Sequence, residues 1–165
     1  MKKLKCILID DEPRNLELLN YYIEKYCPDP QIEAIFSKRA IAEDYLKDES
    51  KCSVIDIIFL DLILDQGTGF DLLDQIDYAH LHIIICTAHD EFALKTIQYE
   101  VVDYLLKPIE IQDSQQTIVK IKNKQKQEGK QIYDAEAISK FSSNAYEFDK
   151  SVNYKKQKRH RACLV

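Results

Sequence analysis

The chain has 165 residues, of which 45% are hydrophobic and 31% are charged, and its formal net charge is −5. This length and composition predict one domain of ordinary size with some chain to spare. Only three glycines are present, which excludes the glycine-rich loops that cradle nucleotide phosphates. No uninterrupted apolar run approaches the roughly 20 residues that span a bilayer. Because Asp10-Asp11 comes too early for the apolar part of a signal peptide, we expect a cytoplasmic protein.

The cysteines and the charges indicate the same kind of protein. The five cysteines are odd in number and form no Cys-x-x-Cys pair, which favours reduced thiols over a redox or metal role. We expect Cys6 and Cys86 to be small strand residues. Residues 150–165 contain six Lys and Arg and no acid, whereas the rest has 17 basic and 28 acidic residues, a net charge of −11. An acidic body argues against nucleic-acid binding by the domain itself.

Short apolar segments alternate with segments of helical periodicity along the chain. Strands are predicted at residues 4–9, 31–36, 54–60, 81–86 and 101–106. Helices are predicted from Pro13 to the prolines at 28 and 30, and at residues 38–48, 70–76, 89–99 and 109–126. Five strands that are each followed by a helix predict an α/β fold, a (βα)5 doubly wound parallel sheet with the flavodoxin-like strand order 2-1-3-4-5.

Helical periodicity also predicts the side chains that face the core. These are Leu16, Leu19 and Ile23 in the first helix, Ile41, Tyr45 and Leu46 in the second, Phe92, Ala93 and Ile97 in the fourth, and Ile111, Ile118 and Ile121 in the last.

Four of the predicted strands run directly into reactive polar residues. Asp10-Asp11 follows the first strand, Asp61 the third, Thr87 the fourth and Lys107 the fifth. In an open parallel sheet, residues just past the carboxyl ends of the strands converge on one crevice. Three carboxylates, a hydroxyl and an ammonium should therefore meet, and such a group could bind a divalent cation and a phosphoryl group.

The same residues carry a family resemblance. The segments that carry it are Ile9-Asp10-Asp11-Glu12-Pro13, Phe59-Leu60-Asp61-Leu62 with Gly69 downstream, Thr87-Ala88, and Tyr104-Leu105-Leu106-Lys107-Pro108. In this order and spacing they resemble the receiver domain of two-component response regulators. Residues 87–95 and 102–109 are similar to the LytR/AlgR class, whose receivers usually precede a LytTR DNA-binding domain. The resemblance covers roughly residues 3–125.

The acidic residues predict a magnesium site. Three carboxylates in one pocket repel each other unless a cation intervenes, and Mg²⁺ prefers hard oxygen ligands. The resemblance implies that Asp11, Asp61 and the backbone carbonyl of Ile63 bind Mg²⁺ directly, and that Asp10 acts mostly through a coordinated water. The alternative is that Asp10-Asp11 only caps the first helix.

The resemblance also implies that Asp61 accepts a phosphoryl group from a sensor histidine kinase, so the chain would be a switch and not a conventional enzyme. An aspartate carboxylate can form an acyl phosphate, whose oxygens Lys107, Thr87 and the backbone N–H of Ala88 would bind. Lys107 could instead be an ordinary ion-pair partner of Asp10 or Asp61, or a surface lysine without a partner.

Output is expected at the face formed by predicted helix 89–99, strand five and the last helix, the helix 4–strand 5–helix 5 face. Phosphorylation would draw Thr87 inward, and Tyr104 would rotate from solvent into the vacated space. A homodimer could form through this face. The alternative for Tyr104 is simple strand packing.

Two further positions bear on the resemblance. Receivers of this type use a cis peptide bond before the proline that corresponds to Pro108, and the alternative is that Pro108 only starts a helix. They also commonly carry proline where this chain has Asp65.

The domain prediction is a receiver at residues 1–126 and a linker with a basic, disordered tail at residues 127–165. A LytTR output domain is expected to be absent, whether naturally or by truncation, so DNA binding would require that domain or the basic tail. The alternatives are a DNA-binding regulator that has lost its output domain and a protein-binding module that is never phosphorylated. A phosphatase of the haloacid dehalogenase kind would need an acid where Ile63 stands.

Overall fold

The computed structural model describes residues 3–141, with side chains described through residue 127. The strands are β1 (Leu4–Ile9), β2 (Pro30–Phe36), β3 (Ile57–Leu60), β4 (His82–Thr87) and β5 (Asp103–Leu106). The helices are α1 (Pro13–Tyr26), α2 (Arg39–Lys47), α3 (Glu49–Cys52), α4 (Gly69–Leu73), the 3-10 helix η1 (Lys95–Tyr99) and α5 (Ile111–Phe141). The strands pair in parallel in the order β2-β1-β3-β4-β5, which confirms the predicted fold.

The three central strands are apolar along almost their whole length. All residues of β3 and β4 are buried, as a parallel sheet that is covered on both faces requires. Alternate residues of β1, Ile7 and Ile9, belong to a core cluster that also contains residues of α2 and α4. The predicted inward residues of α1 are buried, namely Leu16, Leu19 and Ile23.

The predicted helix at residues 89–99 is wrong. The segment consists of turns followed by η1, whose only buried residue is Thr96. Phe92 packs partly against the core cluster, but Ala93 is exposed and Ile97 is 72% exposed. The hydroxyl of Thr96 donates to the carbonyl of Ala93 at 2.6 Å, and consecutive β-branched residues are weak helix formers.

The prediction for the second helix is partly wrong. Ile41 is 56% exposed, and Ala42 is buried in its place, four residues before Leu46, which is buried as predicted. Tyr45 is partly buried and packs against the core cluster. The helix also ends at Lys47, because the side chain of Asp48 accepts a hydrogen bond from the backbone of Ser50 and starts a separate short helix.

Contacts divide the chain into two units, Met1–Val119 and Lys120–Val165. The first unit contains the sheet. In the second unit, α5 continues to Phe141, beyond the predicted helix end at residue 126. The predicted basic tail at residues 150–165 lies outside the described residues. Within the described part, no helix has the length and apolarity needed to cross a membrane.

The described cysteines carry free, buried thiols, and they are Cys6, Cys27, Cys52 and Cys86. Burial raises the pKa of Cys6 to about 12 and also raises the pKa of Cys86. Both residues lie in central strands, where they fill the space of small apolar side chains.

Candidate functional site

Three of the predicted site residues meet at the carboxyl edge of the sheet. Ile9 of β1 pairs with Leu60 of β3, which places the following residues, Asp10 and Asp61, next to each other. Both aspartates are buried, with exposures of 6% and 7%. The ammonium of Lys107, which follows β5, lies 2.6 Å from the Oδ2 atoms of both Asp10 and Asp61. Strand topology therefore brings two carboxylates and a lysine together from distant parts of the sequence.

The other oxygen of each carboxylate accepts hydrogen bonds from residues that follow closely in the sequence. Oδ1 of Asp10 accepts hydrogen bonds from the backbone N–H of Glu12 at 2.9 Å and from the side chain of Asn15 at 3.4 Å. Oδ1 of Asp61 accepts from the backbone N–H of Ile63 at 3.3 Å. Each carboxylate thus has one anchored oxygen and one oxygen that faces the ammonium.

Burial and pairing compete in setting the protonation of these groups. Burial raises the pKa of Asp10, and Lys107 only partly offsets this effect. Burial by itself would lower the pKa of Lys107, but hydrogen bonds to Asp10 and Asp61 outweigh that effect and raise it. Lys107 therefore stays charged at neutral pH and stabilises the carboxylates beside it.

The acidic residues form a donor set that suits a hard cation. One carboxylate oxygen from each of Asp10, Asp11 and Asp61 lies within 4.8 Å of the others, and Asp11 is exposed. Oxygen ligands of this kind suit Mg²⁺, which retains several waters. The helix-cap alternative accounts for less, because the N-cap of α1 is Glu12 and no side-chain hydrogen bond caps the helix there.

Thr87 is the last residue of β4 and is fully buried. Its Oγ1 is one of the few buried side-chain atoms of the described residues that have no hydrogen-bond partner. Its carbonyl accepts a hydrogen bond from the backbone N–H of Lys107 at 2.9 Å. An unpaired buried hydroxyl is costly unless another group binds it. Thr87 therefore fits an anionic group that enters beside Lys107, and the neighbouring Ala88 is exposed.

Tyr104 is partly buried and packs against the core cluster. Its hydroxyl donates a hydrogen bond to the carbonyl of His89, and burial raises its pKa. In this conformation it does not stand in solvent but connects β5 to the loop that follows Thr87. The peptide bond between Lys107 and Pro108 is cis.

Asn15 has no obvious signal in the sequence, and Gly69 is marked only by the family resemblance. Asn15 reaches Asp10 from the first turn of α1. Gly69 is required by close packing, because a Cβ at this position would lie 2.5 Å from the carbonyl oxygen of Asp61. Ile63, whose carbonyl is the predicted third ligand, lies in the loop after Asp61 and is 39% exposed.

In a doubly wound sheet of this strand order the binding site lies in the crevice at the carboxyl ends of the strands, where the buried aspartates and the lysine meet. The family model for the response regulator receiver domain matches residues 6–119, and the chain belongs to this family.

Relatives identify a narrower group within the family. The chain is 31% identical over 119 residues to the sensory transduction protein LytT of Enterococcus faecalis, a match that covers 71% of this chain and 47% of that protein. It is 33% identical over 120 residues to the sensory transduction protein LytR of Staphylococcus saprophyticus, covering 72% and 45%. The chain thus spans about half the length of these relatives.

A solved structure gives the same result for the fold. The receiver domain of AraT, a response regulator from Geobacillus stearothermophilus, is 28% identical with a TM-score of 0.65, and the match covers 78% of this chain and 99% of that one. The predicted LytR/AlgR-type receiver is confirmed by these comparisons.

Proposed function

We propose that the protein is a phosphoacceptor switch of a bacterial two-component pathway, and that Asp61 accepts a phosphoryl group from a sensor histidine kinase in the cytoplasm. The main support is the ammonium of Lys107, which lies 2.6 Å from carboxylate oxygens of Asp10 and Asp61 in a chain of the receiver family. This arrangement gives a buried nucleophile beside a fixed positive charge.

In the reaction, a carboxylate oxygen of Asp61 attacks the phosphorus of the phosphohistidine. An O–P bond forms, the P–N bond breaks, and the histidine nitrogen leaves and takes up a proton. Catalysis of this kind consists of positioning and of neutralising charge on the phosphoryl oxygens. Held by Asp11, Asp61 and the carbonyl of Ile63, with Asp10 acting through a water, Mg²⁺ would supply positive charge for both the carboxylates and the phosphoryl group.

Lys107 and Thr87 have complementary roles in this proposal. Lys107 is a compact charge that can move from Asp61 to a phosphoryl oxygen. Thr87 contributes a buried hydroxyl without a partner among the described residues, and with the N–H of Ala88 it binds another oxygen. In this proposal Lys107 and Thr87 only bind oxygens of the phosphoryl group that Asp61 accepts. The protein is therefore a switch and not a conventional enzyme.

Output in this proposal passes through Thr87 and Tyr104 to the helix 4–strand 5–helix 5 face, which here consists of η1, β5 and residues 111–119 of α5. Large apolar side chains are exposed there, with Leu94 at 81%, Ile97 at 72% and Leu106 at 47%. These residues are the part of the face where a second copy of the chain would dock in a homodimer. DNA contact would need an output domain or the basic tail.

The test is phosphorylation by acetyl phosphate with Mg²⁺, followed by intact mass and hydroxylamine sensitivity. We expect one phosphoryl group on the parent and on Asp44→Asn, a change of an exposed aspartate on α2. We expect none on Asp61→Asn, which should remain folded because it keeps the side-chain shape. Phosphate retained by Asp61→Asn would show that another residue is the nucleophile. A parent that stays unmodified would favour the unphosphorylated binding module.

A further inference from the structure

The loop between β3 and α4 closes as a small hairpin directly after Asp61. Ile63 and Thr68 form an isolated antiparallel bridge, and the N–H of Leu64 donates to the carbonyl of Gly67 at 3.3 Å. Gly67 has a φ of 81°, which glycine adopts without strain. The tip of this hairpin is therefore the pair Asp65-Gln66.

One residue of a different element holds both tip residues. The backbone N–H of Arg39, the first residue of α2, donates to Oδ1 of Asp65 at 3.0 Å. The guanidinium of the same arginine donates to the carbonyl of Gln66 at 2.8 Å. Its Nη2 also lies 3.4 Å from Oε2 of Glu43, one turn further along α2. Arg39 is thus oriented by a contact within its own helix, and it binds two residues that lie 26 and 27 positions further along the sequence.

The base of the hairpin contacts the nucleophile. The N–H of Ile63 donates to Oδ1 of Asp61, and the backbone of Gly69 packs against the carbonyl of Asp61. A hairpin free to swing at its tip would move Ile63 and release this carboxylate oxygen. Contacts at the tip are therefore connected to Asp61 through only two residues, Leu64 and Ile63.

We propose that Arg39 and Asp65 are positioning residues, which fix the hairpin so that the carboxylate of Asp61 and the carbonyl of Ile63 stay aligned for cation binding and phosphoryl transfer. This inference rests on the proposed function of Asp61. Position 65 is an aspartate, so no proline ring restricts the backbone of the hairpin there. The contacts with Arg39 supply a restriction between two elements instead.

The experiment compares Arg39→Ala and Asp65→Ala with the parent. Asp65→Asn is the conservative variant, because its side-chain oxygen can still accept the hydrogen bond. Lys47→Ala is the matched control, because Lys47 also pairs with Glu43 on α2, at 2.5 Å, without touching the hairpin. Two quantities are measured on the full chain: the Mg²⁺ concentration that gives half of the maximal thermal shift, and hydrogen exchange of the peptide covering residues 61–69.

We expect Arg39→Ala and Asp65→Ala to need about three to ten times more Mg²⁺ for half of the maximal thermal shift. A change of this size corresponds to the loss of one or two partly exposed hydrogen bonds. Exchange in residues 61–69 should become faster by a similar factor, while Asp65→Asn and Lys47→Ala stay close to the parent. Mg²⁺ dependence and exchange equal to those of Lys47→Ala would overturn the proposal. A parent without any Mg²⁺ shift would instead contradict the proposed function, and hydrogen exchange would still decide whether the contacts fix the hairpin.

Discussion

Replacing Lys107 by methionine is the most direct test of whether its positive charge stabilises the buried carboxylates of Asp10 and Asp61. The substitution keeps an unbranched side chain, one atom shorter, but removes the ammonium that contacts both Asp10 and Asp61. The side chain of Lys107 is 14% exposed and those of the two aspartates are 9% exposed. The variant therefore leaves two adjacent carboxylates with little access to solvent and no counter-charge from Lys107.

Removing one partner of a buried ion pair costs about 3–5 kcal/mol. Because Asp10 and Asp61 keep their hydrogen bonds from the backbone of Glu12 and Ile63, we expect a loss of about 2–3 kcal/mol, at or just below the lower limit of this range. For a chain of this size, the loss lowers the melting temperature by about 4–12 °C. The control is Lys47→Met, because Lys47 is 47% exposed in its pair with Glu43. Exposed pairs of this kind contribute less than about 1 kcal/mol.

The pH dependence of the variant has a definite sign. Burial raises the pKa of Asp10 above its ordinary value of 3.8, and Lys107 partly counters the effect. Without Lys107 the pKa of Asp10 rises further. For a carboxyl group whose pKa is higher in the folded state, the cost of ionisation is absent below the unfolded pKa and grows as the pH rises through the folded pKa. The deficit of Lys107→Met should therefore shrink as the pH falls towards 3.8.

Calorimetric melting of both variants across this pH range, with and without Mg²⁺, is the assay. Mg²⁺ should stabilise Lys107→Met more than the parent, because it supplies part of the missing positive charge. Asp61→Asn should also recover stability when added to Lys107→Met, since it removes one of the two repelling charges. If Lys107→Met melts like Lys47→Met at neutral pH, the view of Lys107 as the counter-charge of the site is refuted.

Three further predictions concern the cation, the packing and the hydroxyl of the site. In a melting titration, about 10 mM Mg²⁺ should stabilise the parent by about 1–2 kcal/mol at millimolar affinity, and Asp11→Asn should lose most of this gain. Gly69→Ala should lower stability in denaturant by about 1–3 kcal/mol, because its Cβ would meet the carbonyl of Asp61. Thr87→Val should stabilise the protein by about 1 kcal/mol yet slow phosphorylation by acetyl phosphate. Ser114→Ala removes another buried unpaired hydroxyl and should stabilise without slowing it.

The sheet could be predicted because its central strands leave no local alternative. Continuous apolar runs such as Ile57–Leu60 are typical of parallel strands that are covered on both faces. Once the strand order is known, convergence of Asp10, Asp61 and Lys107 follows from topology, since each residue lies just past the carboxyl end of its strand. The metal and phosphoryl roles of these residues came from chemistry and family resemblance, and they remain proposals.

Some parts of the structure depend on tertiary packing and could not be predicted from hydrophobic periodicity. The segment 89–99 contains apolar residues at helical spacing, but of the three predicted inward residues only Phe92 packs against the core cluster. The hydroxyl of Thr96 donates a hydrogen bond to the backbone of the preceding turn. Propensity is a weak guide where a segment buries so little. The contact between Arg39 and Asp65 likewise joins residues 26 positions apart, and no periodic pattern predicts a hydrogen bond between the start of a helix and a distant loop.

The proposed chemistry and the proposed output are separated by a short physical path. Lys107, the residue after β5, and Thr87, the last residue of the adjacent strand β4, are joined by a backbone hydrogen bond of 2.9 Å. Two residues beyond Thr87, the carbonyl of His89 accepts the hydroxyl of Tyr104. A phosphoryl group that attracts both Lys107 and Thr87 would move the ends of β4 and β5, and the bond to Tyr104 would have to follow or break. The same local charge change that completes the reaction would therefore act directly on the edge of the sheet where output is expected.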